Sequence, residues 1–358
     1  MKIFHVIGTR PNLMKVSPIW IEIETMTNYN QFLIHTGQHY DLNMSEVIFN
    51  DLGLPLPDIN FGVGSGSHAH QTSEIMINIE RELKVINPDL VLVYGDVNST
   101  IAAALVCSKL SIPIGHVEAG LRSFDKTMPE EINRILTDQI SDLLFTPSQD
   151  GNINLDREGI DKRKVYFVGN VMIDTLIRIL PKSKTPNIEG LSKDYILVTL
   201  HRPSNVDHPK VLLKIINTLK EIGKSVQVLF PVHPRTRKML NYNNINLSDK
   251  DNIKILNPLG YLEFIGLMKQ SLVIITDSGG IQEETTYLKI PCLTLRENTE
   301  RPITIEIGTN QLIGMDMNLL KSKVDEILNG RTIQGNIPPL WDGKTSSRIV
   351  EVIQEYFL

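Results

Sequence analysis

The chain has 358 residues, 41% hydrophobic and 22% charged, with 36 Lys and Arg against 41 Asp and Glu and a net charge of −5. That balance excludes a disordered tail, a collagen-like fibre and a membrane bundle, and it leaves no broad basic field to hold a nucleic-acid backbone. The length fits one long domain or two ordinary ones. Both cysteines, Cys107 and Cys292, sit inside apolar runs and read as buried thiols of a reducing compartment.

In chain order, short near-continuous apolar runs predict strands at 3–7, 32–35, 90–94, 114–117 and 142–146. Such runs fit parallel strands covered on both faces. Helix-period stretches at 13–26, 71–86, 99–110 and 129–140 lie between them. The alternation then restarts, with strands at 195–199, 226–230, 253–256, 272–276 and 291–295, and helices at 209–222, 261–269, 281–288 and 319–328. The expected fold is α/β: two Rossmann-like, doubly wound domains facing across a cleft. A polar, Pro-punctuated linker at 180–192 sets the boundary. The first domain is expected at 1–180 and the second at 181–344, with a C-terminal helix within 345–358 crossing back after Pro338-Pro339. No apolar stretch reaches the roughly 18 residues of a membrane span. The run at 3–7 stops at Gly8-Thr9-Arg10-Pro11, too short for a signal-peptide core, so the expected location is the cytoplasm.

Functional groups of such sheets gather at the carboxyl ends of the strands. DSGGIQEE (277–284) carries a strand into a Ser-Gly-Gly turn that opens a helix. It reads either as a phosphate cradle or as an ordinary cap in which Asp277 or Ser278 caps the helix and Glu283 and Glu284 complement its dipole. GVGSGS (62–67) follows a proline-rich segment, not a clear strand, and reads as a mobile loop. Arg10 and Lys15 flank the first strand-to-helix turn and form either a diphosphate clamp or a solvated pair. Asp96 and Glu118 end apolar strands and are acid/base candidates. Glu130 and Glu131, by position alone, are helix-start residues. His201 follows a strand and serves as acid, base or phosphate donor. His35 and His39 begin at a strand end and lack helical ligand spacing, so no metal is expected.

Together these segments resemble the non-hydrolysing UDP-N-acetylglucosamine 2-epimerase family. The matching stretches are GTRP (8–11) with Lys15, TGQH (36–39), GDVNST (95–100), HVEAGLR (116–122), PEEINR (129–134) and VGN (168–170). They continue through LHRPSN (200–205), PVHP (231–234), GYLEF (260–264), TDSGGIQEE (276–284) and TLRENTERP (294–302). The resemblance implies a glycosyltransferase-B-like arrangement, a UDP-sugar substrate, a homodimer, no nicotinamide or metal cofactor, and a role in polysaccharide biosynthesis. It also implies elimination of UDP across C1 and C2 through a 2-acetamidoglucal, followed by re-addition with C2 inverted. On this resemblance Asp96, Glu118, Glu130 and His201 are catalytic. Arg10, Lys15, Phe264, Ser278, Gly279, Gly280, Glu284 and Arg301 bind substrate, and Gln38, Arg202 and His233 match an effector site. The chain departs from the family pattern at Asn12 and Pro203-Ser204, where many relatives carry Glu and Arg-Glu. It departs again at Leu259, where they carry Gln, and at Asp41 and His70, where they carry Gln and Arg. These departures leave open a UDP-2,3-diacetamido uronic acid substrate, a hydrolysing relative or a glycosyltransferase.

Overall fold

The computed structural model of the chain describes residues 1–38, 48–331 and 334–358. It divides into two compact units, Met1–Ile179 with Pro339–Leu358, and Leu180–Pro338. In the first unit, β1 (Lys2–Ile7), β2 (Asn30–His35), β3 (Ile59–Asn60), β4 (Leu90–Tyr94), β5 (Ile114–Val117), β6 (Leu143–Thr146) and β7 (Val165–Phe167) form a parallel sheet in the order β3-β2-β1-β4-β5-β6-β7. All five residues of β4, LVLVY, are buried, because side chains on both faces meet helices. Phe4 of β1 pairs in register with Phe32 of β2 and Val91 of β4. Beneath them pack Ile75, Ile79 and Leu83 of the helix His68–Ile86, and Ala102, Ala103 and Val106 of the helix Asn98–Leu110.

The C-terminal helix Thr345–Tyr356 belongs to this unit. It lays Ile349, Val350 and Ile353 inward and packs on the helix Arg10–Met26. Its start is pinned by Asp174, which accepts from Thr345 N at 3.2 Å, Ser346 N at 2.7 Å and Ser346 Oγ at 2.9 Å. Trp341 donates its indole N–H to the Pro147 carbonyl at 2.9 Å.

The second unit repeats the plan with six parallel strands: β8 (Tyr195–Thr199), β9 (Gln227–Pro231), β10 (Ile253–Leu256), β11 (Val273–Thr276), β12 (Cys292–Thr294) and β13 (Asn310–Leu312). Their order is β10-β9-β8-β11-β12-β13. Its core joins Ile196, Val198 and Phe230 of the sheet to Leu212, Ile215 and Leu219 of the helix Pro209–Gly223 and to Leu320 and Val324 of the helix Met317–Leu328. In each sheet the strand order reverses once, between β1 and β4 and between β8 and β11. The connections leaving those neighbours diverge, which opens a crevice at their carboxyl ends.

The glycine-rich stretch at 62–67 differs from its expected form. A two-residue edge strand, Ile59–Asn60, precedes it, too short and too polar to stand out. Backbone bonds from Val63 N to Thr36 O at 3.1 Å and from Gly64 N to Gly37 O at 2.9 Å tie it down, and Ser67 Oγ caps the helix His68–Ile86. Among the described residues, no helix is long and apolar enough to cross a membrane.

Candidate functional site

In the first unit the site residues stand at the β1, β4 and β5 ends. The β1 end is shaped by Asn12, whose Oδ1 accepts from Gly8 N at 3.0 Å, Thr9 N at 3.1 Å and Thr9 Oγ at 3.1 Å. Its Nδ2 donates to Tyr94 O at 2.8 Å. The amide stitches β1 to β4, and a carboxylate at this position has no proton to give that carbonyl. Asn12 is thus committed to the scaffold. One turn on, Lys15 is buried and its Nζ lies 2.8 Å from Glu118 Oε1, with both side chains under a tenth exposed. Gly95 makes room for the pair. Its φ is +64°, and a Cβ there would stand 2.5 Å from Lys15 Nζ. Glu118 itself has φ +74°, a left-handed conformation that costs a non-glycine residue about 1–3 kcal/mol and clusters at functional sites.

Asp96, next after Gly95, is held by Arg134, whose Nε and Nη2 lie 2.9 and 2.7 Å from Asp96 Oδ2. The helix Pro129–Ile140 turns Glu131, Asn133, Arg134 and Asp138 inward. Glu131 accepts from Ser123 N and Phe124 N, both at 2.9 Å, and from Arg134 at 2.5 Å. The two adjacent glutamates therefore divide. Glu131 is a buried structural anchor, while Glu130 is half-buried in the first helical turn.

Below them His116 spans Asp138 Oδ1 at 2.6 Å and Gly95 O at 2.8 Å, and Asp138 also meets Arg122 at 2.7 Å and Gly120 N at 3.1 Å. Burial pushes the Asp138 carboxyl up, but His116 and Arg122 outweigh it and hold it below the usual carboxylate range. Gln38 Oε1 accepts from Ser99 Oγ at 2.9 Å, and His70 is exposed. His35 Nδ1 accepts from Gly37 N at 3.0 Å, a structural use of that ring. His39 and Asp41 lie outside the described residues.

In the second unit the β8 and β11 ends meet at Asp277. This fully buried carboxylate does not cap the following helix. It turns back to accept from His201 N, Arg202 N and Asn205 Nδ2 at 3.0–3.1 Å, and its Oδ1 lies 3.0 Å from His201 Nδ1. Burial raises its pKa, but His201 and the amide donors outweigh that and hold it low. The imidazole is thus fixed at Nδ1, while its side chain remains 43% exposed. The His233 ring lies 5.6 Å from it, centroid to centroid. Pro203 opens the short helix Pro203–Val206, and Ser204 is exposed.

Ser278 stands at the N-cap position of the helix Gly279–Leu288 without a side-chain cap bond among the described residues. The first amides of such a helix have no intrahelical carbonyl to bond, which makes the turn a ready anion cradle. A Cβ on Gly279 would meet Arg301 Nη1 at 2.6 Å and Glu300 Oε1 at 2.9 Å, so the arginine lies directly over the turn. Arg301 is steadied by Glu283 at 2.8 Å and Glu300 at 2.5 Å, and Glu300 also meets Arg296 at 2.6 Å. Glu284 accepts from the Tyr261 hydroxyl, one residue after Gly260, and Phe264 is half-buried on the same helix. Neither Glu283 nor Glu284 serves the helix dipole alone.

Arg134, Asn12, Asn205, Asp277 and Tyr261 emerge here as residues that orient the expected ones. One signal existed in the sequence: PEEINR puts Glu131 and Arg134 a helical turn apart, a spacing that pairs opposite charges.

One unit presents strand-end carboxylates with a buried lysine. The other presents a glycine turn, an overlying arginine and a carboxylate-held histidine. Together they define an acid–base enzyme acting on a phosphate-bearing substrate. Residues 21–354 match the family model described as UDP-N-acetylglucosamine 2-epimerase. A Methanocaldococcus jannaschii UDP-N-acetylglucosamine 2-epimerase is 45% identical over 99% of both chains, and a Pseudomonas aeruginosa UDP-2,3-diacetamido-2,3-dideoxy-D-glucuronate 2-epimerase is 40% identical over 99% of both. The crystal structure of the Methanocaldococcus jannaschii UDP-GlcNAc 2-epimerase in complex with UDP-GlcNAc and UDP superposes with a TM-score of 0.92 at 44% identity, over 99% of this chain and 100% of that one. The chain belongs to the UDP-N-acetylglucosamine 2-epimerase family.

Proposed function

We propose that the protein interconverts UDP-N-acetylglucosamine and UDP-N-acetylmannosamine. The C2 proton is removed as the C1–O bond to UDP breaks, giving 2-acetamidoglucal and UDP. UDP then adds back to C1 while C2 takes a proton on the opposite face. The chemistry needs proton-transfer groups about C2 and donors that keep the departed diphosphate close. Asp96, Glu118, Glu130 and His201 carry the proton transfers. Arg10, Lys15, the Ser278-Gly279-Gly280 turn and Arg301 hold the diphosphate, Glu284 the ribose and Phe264 the uracil. Gln38, Arg202 and His233 receive a second UDP-sugar as effector. The observation that carries this reading is the buried Lys15–Glu118 pair beside an Arg134-held Asp96, set at the point where the strand order reverses. The family resemblance supports a cytoplasmic homodimer that supplies a polysaccharide pathway.

The deciding experiment is proton NMR of the protein with UDP-N-acetylglucosamine in deuterated water. Deuterium enters C2 as the epimer forms; no exchange with any UDP-2-acetamido sugar rejects the proposal. The 40% identity to the Pseudomonas aeruginosa enzyme favours a second reading, a UDP-2,3-diacetamido uronic acid substrate. Turnover of that sugar in preference to UDP-N-acetylglucosamine decides for it. Asn12, bonded internally on all sides described above, is not a reason to prefer either sugar.

A further inference from the structure

The VGN stretch at 168–170 carries Asn170, which is 1% exposed at the start of the helix Val171–Ile179. Its Oδ1 accepts from Met172 N at 2.9 Å, the bond of a helix cap, and this bond fixes which end of the amide is which. Its Nδ2 is buried and has no hydrogen-bond partner among the described residues. Capping does not account for that nitrogen, since Asp or Ser caps as well with no second donor to bury. Buried polar groups in native proteins are nearly always paired, so an unpaired one calls for an explanation.

The place of the donor supplies one. Asn170 lines a small cavity at the ends of β5 and β6, together with Glu118, Phe145, Pro147 and Val171. The space has no room for a water molecule. Apart from Asn170 itself, Glu118 alone among the described lining residues carries a side-chain acceptor. In this structure Glu118 presents Oε1 to Lys15, the lysine assigned above to the diphosphate.

We propose that Asn170 is a positioning residue for Glu118, its amide donating to the Glu118 carboxylate when substrate is bound and Lys15 serves the diphosphate. The inference rests on the proposed epimerase reaction. Two donors then share one carboxylate in turn: the ammonium in the ligand-free protein and the amide during proton transfer. A carboxylate held by a neutral donor keeps its orientation without a full opposing charge beside it, which suits a group that must gain and lose a proton.

The test uses Asn170→Asp and Asn170→Ser in the full chain. Both keep the cap; both remove the donor; Asp alone adds a charge beside Glu118. Both variants are expected to melt within about 3 °C of wild type and to bind UDP within two-fold, while kcat for C2 epimerisation falls about ten-fold or more with little change in KM. The acid limb of the kcat profile moves to higher pH in Asn170→Asp and stays in place in Asn170→Ser. Wild-type kcat in both variants, or a melting loss of about 8 °C or more in Asn170→Asp, overturns the proposal, since the first denies a catalytic effect and the second makes the amide a structural bond. If the wild-type protein itself exchanges no C2 hydrogen, the epimerase reading is what fails.

Discussion

Breaking the Lys15–Glu118 pair tests the floor of the site by stability alone. At 2.8 Å and an effective dielectric near 20, the gross attraction is about 6 kcal/mol, much of it offset by the cost of keeping both groups out of water. Removing one partner of such a pair leaves a buried charge and typically costs about 3–5 kcal/mol, whereas replacing both with neutral groups costs far less. Lys15→Met and Glu118→Gln should therefore each lower the melting temperature of the unit by roughly 6–20 °C, at about 2–4 °C per kcal/mol. The double variant should recover most of that loss. Chemical denaturation of the four proteins closes the double-mutant cycle. A double variant that loses the sum of the two single losses refutes the buried pair.

Three further outcomes follow from the geometry. Gly279→Ala places a methyl where Arg301 and Glu300 lie, and calorimetry should show UDP binding weakened about ten-fold with the fold intact, because those neighbours are side-chain ends able to shift. Arg134→Ala frees Asp96 and should cut epimerisation by about 10²-fold, with partial recovery in Arg134→Lys, as kinetics at saturating substrate will show. His5 is buried between the Tyr94 hydroxyl and Gln31, and burial lowers its pKa to about 3, so it is neutral when folded and takes up a proton when unfolded. Its contribution is complete above pH ~6.5 and falls by about 1.4 kcal/mol per unit as the pH drops toward 3. Denaturation between pH 7 and 4.5 should show a shallower slope for His5→Leu than for wild type, the buried His35 ring retaining its own share.

The central strands were legible because parallel strands covered on both faces leave uninterrupted apolar runs, as LVLVY in β4 does. The edges were not. Val165–Phe167 and Asn310–Leu312 are three residues long, and Ile59–Asn60 is two, too little for any period to register. The helices Gln149–Arg157 and Pro234–Tyr242, QDGNINLDR and PRTRKMLNY, are so polar that composition reads as loop; few of their side chains reach a core. At the site, the residue types facing the strand ends were legible one by one, but their partners were not. Arg134 meets Asp96 across 38 positions and Asp277 meets His201 across 76, distances at which only the fold decides who neighbours whom. Asp277 was misread as a helix cap because its sequence position serves that purpose equally well.

The return of residues 339–358 to the first unit has a consequence for biosynthesis. A chain emerging from the ribosome delivers the whole of the second unit before the segment that completes the first. Until then the helix Arg10–Met26 lacks the cover of Ile349, Val350 and Ile353. The inserted unit can consolidate while the outer one waits with an apolar flank uncovered, so the earliest half of the message encodes the last part to mature.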